Sequence, residues 1–254
     1  MATYAVPYFM GAPVGGLEVP QPHALLAPRL PDGSPQERMG VLYRHLGDAV
    51  FDDELPVVWA GDCVSTIGVL AGLQRRGVHP TLVWFDAHGD FNTWETSPSG
   101  FIGGMPLAMI VGRGEQTITT GAGMRSIPEG AVELVGARDL DPAERVAING
   151  SGLSVRSVAE AGHEAPPGPL YVHVDVDVVD PAEMPAMNYP APDGPSLSAT
   201  REALRRYAAT GRVVAFSMSL WNPALPGADV AAAACATLAE IFARPASGGA
   251  AGSL

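Results

Sequence analysis

Three apolar runs in this chain end in acidic clusters. Val57-Val58-Trp59-Ala60 leads into Gly61-Asp62-Cys63. Leu82-Val83-Trp84-Phe85 leads into Asp86-Ala87-His88-Gly89-Asp90. Tyr171-Val172-His173-Val174 leads into Asp175-Val176-Asp177-Val178-Val179-Asp180-Pro181. Carboxylates gathered at one spot repel one another unless a cation lies among them. Carboxylates with an imidazole suit a hard-to-borderline divalent ion such as manganese, and the candidates suffice for two ions sharing a bridging carboxylate. Alternate strand residues share a face, so Asp86 and His88 should point one way and Asp175 and Asp177 together. A lone Asp-x-Asp is ordinarily a turn or a solvated face. The specific signal is Asp-Ala-His-Gly-Asp after one apolar strand, paired with Asp-Val-Asp-Val-Val-Asp-Pro after another. Cys63 follows Asp62 at a strand end and joins the ligand candidates, whereas Cys235, within an alanine run, reads as a small core residue. His23, His45, His79 and His163 read as solvated. His173, two residues before Asp175, reads as a packed strand histidine, with a supporting role behind the ligands as the alternative.

The elements that must position these groups are short. Strands are expected over 3–7, 56–60, 81–85, 132–135, 170–174 and 213–218, each bounded by Gly, Pro or charge. Helices are expected over 65–76, 104–111, 142–148, 198–209 and 228–243, with Ser198 as an N-cap and Glu202 near its capping-box position. Residues 22–35, 121–130 and 162–169 read as loops, and 245–254 as a frayed tail. Alternating strands and helices imply an α/β fold with a mostly parallel sheet covered on both faces. The acidic clusters then sit at the carboxyl ends of strands, where such sheets place their ligands.

The 254 residues suit a single α/β domain, 1–254. A hydrophobic fraction of 47% with 17% charged residues excludes a disordered or coiled-coil chain. All 15 basic residues are arginine, and the net charge is −12. That balance argues against nucleic acid or an anionic membrane as a partner. Two cysteines are too few for a disulfide framework, and no signal peptide or 18-residue apolar span is evident. The expectation is a cytoplasmic protein acting on a small molecule.

At this point the sequence resembles the ureohydrolase family, the arginases and agmatinases, over about residues 4 to 225. The family's Gly-Gly-Asp-His corresponds to Ala60-Gly61-Asp62-Cys63. Its Asp-Ala-His-x-Asp matches Asp86, His88 and Asp90, and its Asp-x-Asp-x-x-Asp-Pro matches Asp175, Asp177, Asp180 and Pro181. The resemblance implies a three-layer α/β sandwich and hydrolysis of a guanidino group at a pair of Mn2+ ions. It implies one ion on Cys63, Asp86, Asp90 and Asp175 and the other on Asp86, His88, Asp175 and Asp177, with Asp86 and Asp175 bridging. It also implies that Asn92 and Ser99 meet a substrate α-carboxylate and that Asp141, with Glu144 nearby, meets the α-amino group. That set favours an α-amino acid over agmatine. Arginase-type assembly uses C-terminal segments beyond the core, and the sequence ends soon after Asn222-Pro223, so a monomer is expected.

Four departures from the arginase pattern refine this. Cys63 replaces a histidine ligand. Gly103 stands where arginases carry a proton-shuttling histidine, Leu220 where they carry a glutamate facing the guanidinium, and Tyr189 replaces a smaller polar residue. A guanidinium stays protonated at neutral pH, and its leaving amine needs a proton. The less basic N-hydroxyguanidine asks less of both missing groups. With Asp90 left as the proton carrier, the pattern is similar to ureohydrolases that cleave Nω-hydroxy-L-arginine to hydroxyurea and L-ornithine in D-cycloserine biosynthesis. A lysine-free, Ala/Gly/Arg-rich chain suits a high-GC antibiotic producer. The alternatives are an ordinary arginase or another guanidino or formimino hydrolase, and, from a different class, a non-catalytic metal-binding relative.

Overall fold

The computed structural model describes residues 2–17, 19, 22–219 and 221–242. Its centre is an eight-stranded sheet. In chain order the strands are β1 (Thr3–Val6), β4 (Ala24–Leu25), β5 (Val57–Ala60), β6 (Thr81–Phe85), β7 (Val132–Val135), β8 (Ser154–Arg156), β9 (Leu170–Asp175) and β10 (Val213–Ser219). A two-stranded antiparallel hairpin, β2 (Tyr8–Phe9) with β3 (Ala12–Pro13), follows β1. The order across the sheet is β4-β1-β5-β10-β9-β6-β7-β8, and every pairing in it is parallel. The six strands expected from the sequence all form. β4 and β8 are two short edge strands that the sequence pattern did not reveal. β4 lies within the expected loop 22–35, and β8 is three exposed residues with no apolar alternation.

The central strands are buried along their length, as strands covered on both faces must be. Two apolar layers result. One packs Leu82, Trp84, Leu134 and Tyr171 against α1 (Pro35–Ala49), α2 (Thr66–Arg75), α3 (Pro106–Ile110), α4 (Thr117–Ala122) and Ile148 of α5 (Pro142–Asn149). The other packs Val83, Phe85, Val172, Val174 and Phe216 against α6 (Leu197–Ala209) and α7 (Ala228–Ala239). The architecture is therefore the three-layer α/β sandwich that the sequence implied. No helix among the described residues is long and apolar enough to cross a membrane.

Helix α1 is absent from the sequence-based expectation, although its signals are local. Ser34 and Glu37 form a capping box, Pro35 sits in the first turn, and buried Met39, Leu42, Tyr43 and Leu46 recur at helical spacing. Likewise α4 runs into the expected loop 121–130. The cap of α6 is Ser196, whose hydroxyl accepts the Ala199 amide, and not Ser198, which lies inside the first turn. Helix α7 ends at Ala239 and is followed by a 3-10 turn, Glu240–Phe242. Residue 243 and the expected tail 245–254 lie outside the described residues.

Candidate active site

β5, β6 and β9 end at the same edge of the sheet, and their acidic clusters meet there. β10 and β9 lie between β5 and β6 in the sheet, so the chain reverses its winding around them. The crevice at such a switch is the preferred ligand site of a parallel sheet. All ten site residues named from the sequence line one cavity in it: Cys63, Asp86, His88, Asp90, Asn92, Ser99, Asp141, Glu144, Asp175 and Asp177.

Local backbone fixes each acidic group. Gly61 crosses directly under the hairpin, and a Cβ there would overlap the Tyr8 carbonyl. Asp62 follows at the cavity's edge, with its carboxylate tied up by other parts of the fold. Its carboxylate accepts the Tyr43 hydroxyl at 2.6 Å and the Met10 amide at 2.8 Å, tying α1 and the hairpin to the end of β5. Asp90 sits at φ 48, a left-handed conformation uncommon for a residue with a side chain. Its carbonyl accepts the Leu107 and Ala108 amides at the start of α3, and these contacts hold the turn in place.

The floor carries two overlapping groups. Ligand atoms of Cys63, Asp86 and Asp90 lie within 4.8 Å of one another, and so do those of Asp86, His88 and Asp177. Asp86 is common to both. Asp175 lies between them: its Oδ2 is 2.7 Å from the Cys63 sulfur, and its Oδ1 accepts the Asp177 amide at 3.0 Å. His88 Nδ1 lies 3.0 Å from Asp177 and 3.4 Å from Asp86. Trp84 Nε1 donates to Asp86 Oδ2 at 2.9 Å.

This cluster is electrostatically incomplete as bare protein. Burial, then repulsion from Asp86, holds the Asp90 carboxyl well above its ordinary range, and burial with Asp177 and Asp86 does the same to Asp175. Burial and Asp86 push Asp177 up to about 6 against the pull of His88. Burial and three carboxylates raise the Cys63 thiol. Burial acting alone would lower His88, but hydrogen bonds to Asp177 and Asp86 outweigh it and raise the imidazole to about 12. Carboxylates, an imidazole and a thiol so arranged fit divalent cations, whose charge offsets the repulsion that burial amplifies.

Of the substrate-side groups, Asn92, Asp141 and Glu144 are linked by hydrogen bonds, and Ser99 stands apart from them. Asp141 is the N-cap of α5 and accepts from Asn92 Nδ2 at 3.0 Å. Asn92 is itself buried, and its Oδ1 has no partner among the described residues. Ser99 lies at the exposed rim, where its hydroxyl accepts the Phe101 amide at 3.2 Å. Glu144 is buried and accepts the Phe91 amide at 2.8 Å and the Asp141 amide at 3.3 Å. It braces the turn that carries Asp90 as well as lining the cavity.

Two lining aromatic groups, Phe9 and Phe101, escaped the sequence reading, whereas Tyr189 stands out in the sequence as a departure from the arginase pattern. Phe9 enters from the hairpin and Phe101 from the segment before α3, and the two rings stack with centroids 6.4 Å apart. Tyr189 packs on Phe101 at 5.3 Å. A Cβ at Gly103 would overlap the Phe101 ring, so that ring occupies the space a larger residue there would need. Arg138 donates to the carbonyls of Asp177, Val178, Ala191 and Pro192, fastening the loop after β9 to the wall. No motif marks Phe9, Phe101 or Arg138, because their partners are distant in sequence. Leu220, another departure from the arginase pattern, lies outside the described residues.

The Arginase family model matches residues 18–243. The chain belongs to the arginase family. That family comprises hydrolases of the ureohydrolase class and depends on a binuclear metal centre, in keeping with the two overlapping groups on the floor. Among its relatives is the arginase of Bacillus subtilis (strain 168), 32% identical over 200 residues that cover 72% of this chain and 67% of that protein. Another is the N(omega)-hydroxy-L-arginine amidinohydrolase of Streptomyces lavendulae, 36% identical over 152 residues. That match covers 58% of this chain and 54% of the Streptomyces protein, about half its length. A crystal structure of arginase from Bacillus subtilis superimposes with a TM-score of 0.79 at 25% identity, covering 96% of this chain and 98% of that one.

Proposed function

We propose that this family member hydrolyses Nω-hydroxy-L-arginine to hydroxyurea and L-ornithine, as a step in making an antibiotic of the D-cycloserine type. The observation that carries the reading is the Phe101 ring packed over Gly103. With the ring there, no imidazole stands at position 103 to protonate the leaving amine. The relation to the Streptomyces amidinohydrolase supports the same substrate.

Two Mn2+ ions, one on Cys63, Asp86, Asp90 and Asp175 and one on Asp86, His88, Asp175 and Asp177, would supply Lewis-acid charge and acidify water to near neutrality. The chain's own residues do the rest. Asp141 takes the substrate α-ammonium. Asn92, held by Asp141, and Ser99 at the rim face the α-carboxylate. Phe9, Phe101 and Tyr189 line the cavity with aromatic surface. Asp90 accepts the proton of the attacking water and passes it to the substrate Nδ. The bond from Nδ to the guanidino carbon breaks, ornithine leaves as the amine, and the carbon departs as hydroxyurea. A general acid is worth ~10²–10⁴-fold, so a site without that imidazole penalises arginine, whose guanidinium is always charged, more than the weakly basic hydroxyguanidine.

Steady-state kinetics on both substrates, with hydroxyurea and urea measured as products, test the reading. The expected result is turnover of hydroxyarginine with little of arginine. Comparable kcat/KM for arginine would instead favour an ordinary arginase, to which the Bacillus relative points.

A further inference from the structure

Behind the carboxylate floor runs a buried polar seam that the proposed reaction does not use. Trp84 on β6, His173 on β9 and Ser217 on β10 stand side by side, because the strand register aligns Trp84 with His173 and His173 with Ser217. One strand repeat nearer the cavity lie Asp86, Asp175 and Ser219, on the same face by alternation, with Ser219 aligned to Asp175. His173 is fully buried. Its Nδ1 is 2.7 Å from Ser217 Oγ and its Nε2 is 3.4 Å from Ser219 Oγ. Tyr171 Oη is 2.6 Å from Ser217 Oγ, and Ser219 Oγ donates to Cys63 Sγ at 3.0 Å.

One direction of donation satisfies the whole seam. The Tyr171 hydroxyl donates to Ser217, and Ser217 donates to His173 Nδ1, which fixes the Nε2–H tautomer. That N–H donates to Ser219, whose own proton is left for the sulfur. Each donor is used once. The reverse direction begins with a proton on sulfur, which a ligating thiolate does not carry. The imidazole also packs against the Trp84 ring, with centroids 4.3 Å apart, and Trp84 donates to Asp86.

We infer that His173 and Ser219 are positioning residues of the metal centre, aiming one hydrogen bond at the Cys63 sulfur and holding it where it ligates. The inference rests on the reading of Cys63 as a metal ligand. It gives a physical account of a soft thiolate among hard oxygen donors: a hydrogen bond draws electron density from sulfur and brings it closer to the oxygen ligands in character.

Cobalt-loaded protein reports on this directly, because a thiolate bound to Co2+ gives a near-ultraviolet charge-transfer band. In the wild-type protein the band should be present, and Cys63→Ser should abolish it. Ser219→Ala should move it to longer wavelength and weaken Co2+ binding ~10–100-fold, and Ser219→Thr should restore both. His173→Leu should shift it the same way, and His173→Gln, which keeps an amide donor near Ser219, should reverse much of the shift. If His173→Leu fails to fold, the Ser219 pair carries the test alone. A band abolished in Cys63→Ser but unmoved in Ser219→Ala, with unchanged Co2+ affinity, would leave the ligand reading standing and overturn the inference. A wild-type spectrum identical to that of Cys63→Ser would overturn both.

Discussion

The floor and the rim of the cavity are built in opposite ways. On the floor, Asp86, Asp175 and Asp177 issue directly from the ends of central strands, the first and last buried and Asp175 half-buried, and their carboxylates accept the backbone amides of His88, Asp177 and Ala87 respectively. On the rim, Phe9, Ser99, Phe101 and Tyr189 come from a hairpin and two loops, and their contacts are ring against ring or hydroxyl against amide. The floor is a rigid charge trap set by the sheet. The rim is a shape set by loops, and loops can change without disturbing the sheet. If the division is right, floor substitutions abolish the chemistry while rim substitutions redirect it.

The largest effect should follow Asp86→Ala or Asp175→Ala. Each should lose both ions by elemental analysis. Activity should fall by more than ~10³-fold, since even one charge-stabilising donor is worth ~10²–10³-fold. Full metal content in Asp86→Ala would break the assignment of Asp86 as a shared ligand. The rim should respond next. Gly103→His alone forces a side chain into the Phe101 ring and should lower activity on both substrates. Gly103→His with Phe101→Ala opens the space, and the ratio of arginine to hydroxyarginine kcat/KM should rise by on the order of 10²-fold. An unchanged ratio in the double variant would remove the rim from substrate choice.

A smaller effect is expected at Asp141→Asn. It keeps the helix cap and removes the charge, so KM should rise by roughly tenfold with kcat little changed, in line with ~1.5 kcal/mol for a hydrogen bond to a charged group. A drop in kcat with KM intact would place Asp141 in the chemistry instead. The smallest effect belongs to the floor's support. Tyr43→Phe leaves the buried Asp62 carboxylate with one partner fewer and should lower unfolding free energy by ~1–3 kcal/mol in denaturant titrations, with the preference between the two substrates unaltered.

Legibility followed the same division. Asp86, His88, Asp90, Asp175 and Asp177 stand within five residues of a strand end, so local pattern places them. The central strands were legible because strands buried on both faces read as apolar runs. The capped amphipathic helix that starts at Ser34 was equally local, yet it was missed beside a Pro-rich stretch. β4 and β8 are too short and too exposed to show alternation.

The sequence by itself determined which residue types stand at the strand ends, and hence that buried carboxylates would gather and need a cation. That follows from strand periodicity and Coulomb repulsion, both readable along one segment. Only the tertiary structure decided that Asn92 lies against Asp141, 49 residues away, that the Phe101 ring lies over Gly103, and that Ser219 reaches Cys63 across 156 residues of chain. Those contacts depend on strand order and register. β9 and β10, the last strands of the sheet to be made, insert between β5 and β6, and residues become neighbours that no spacing in the sequence relates.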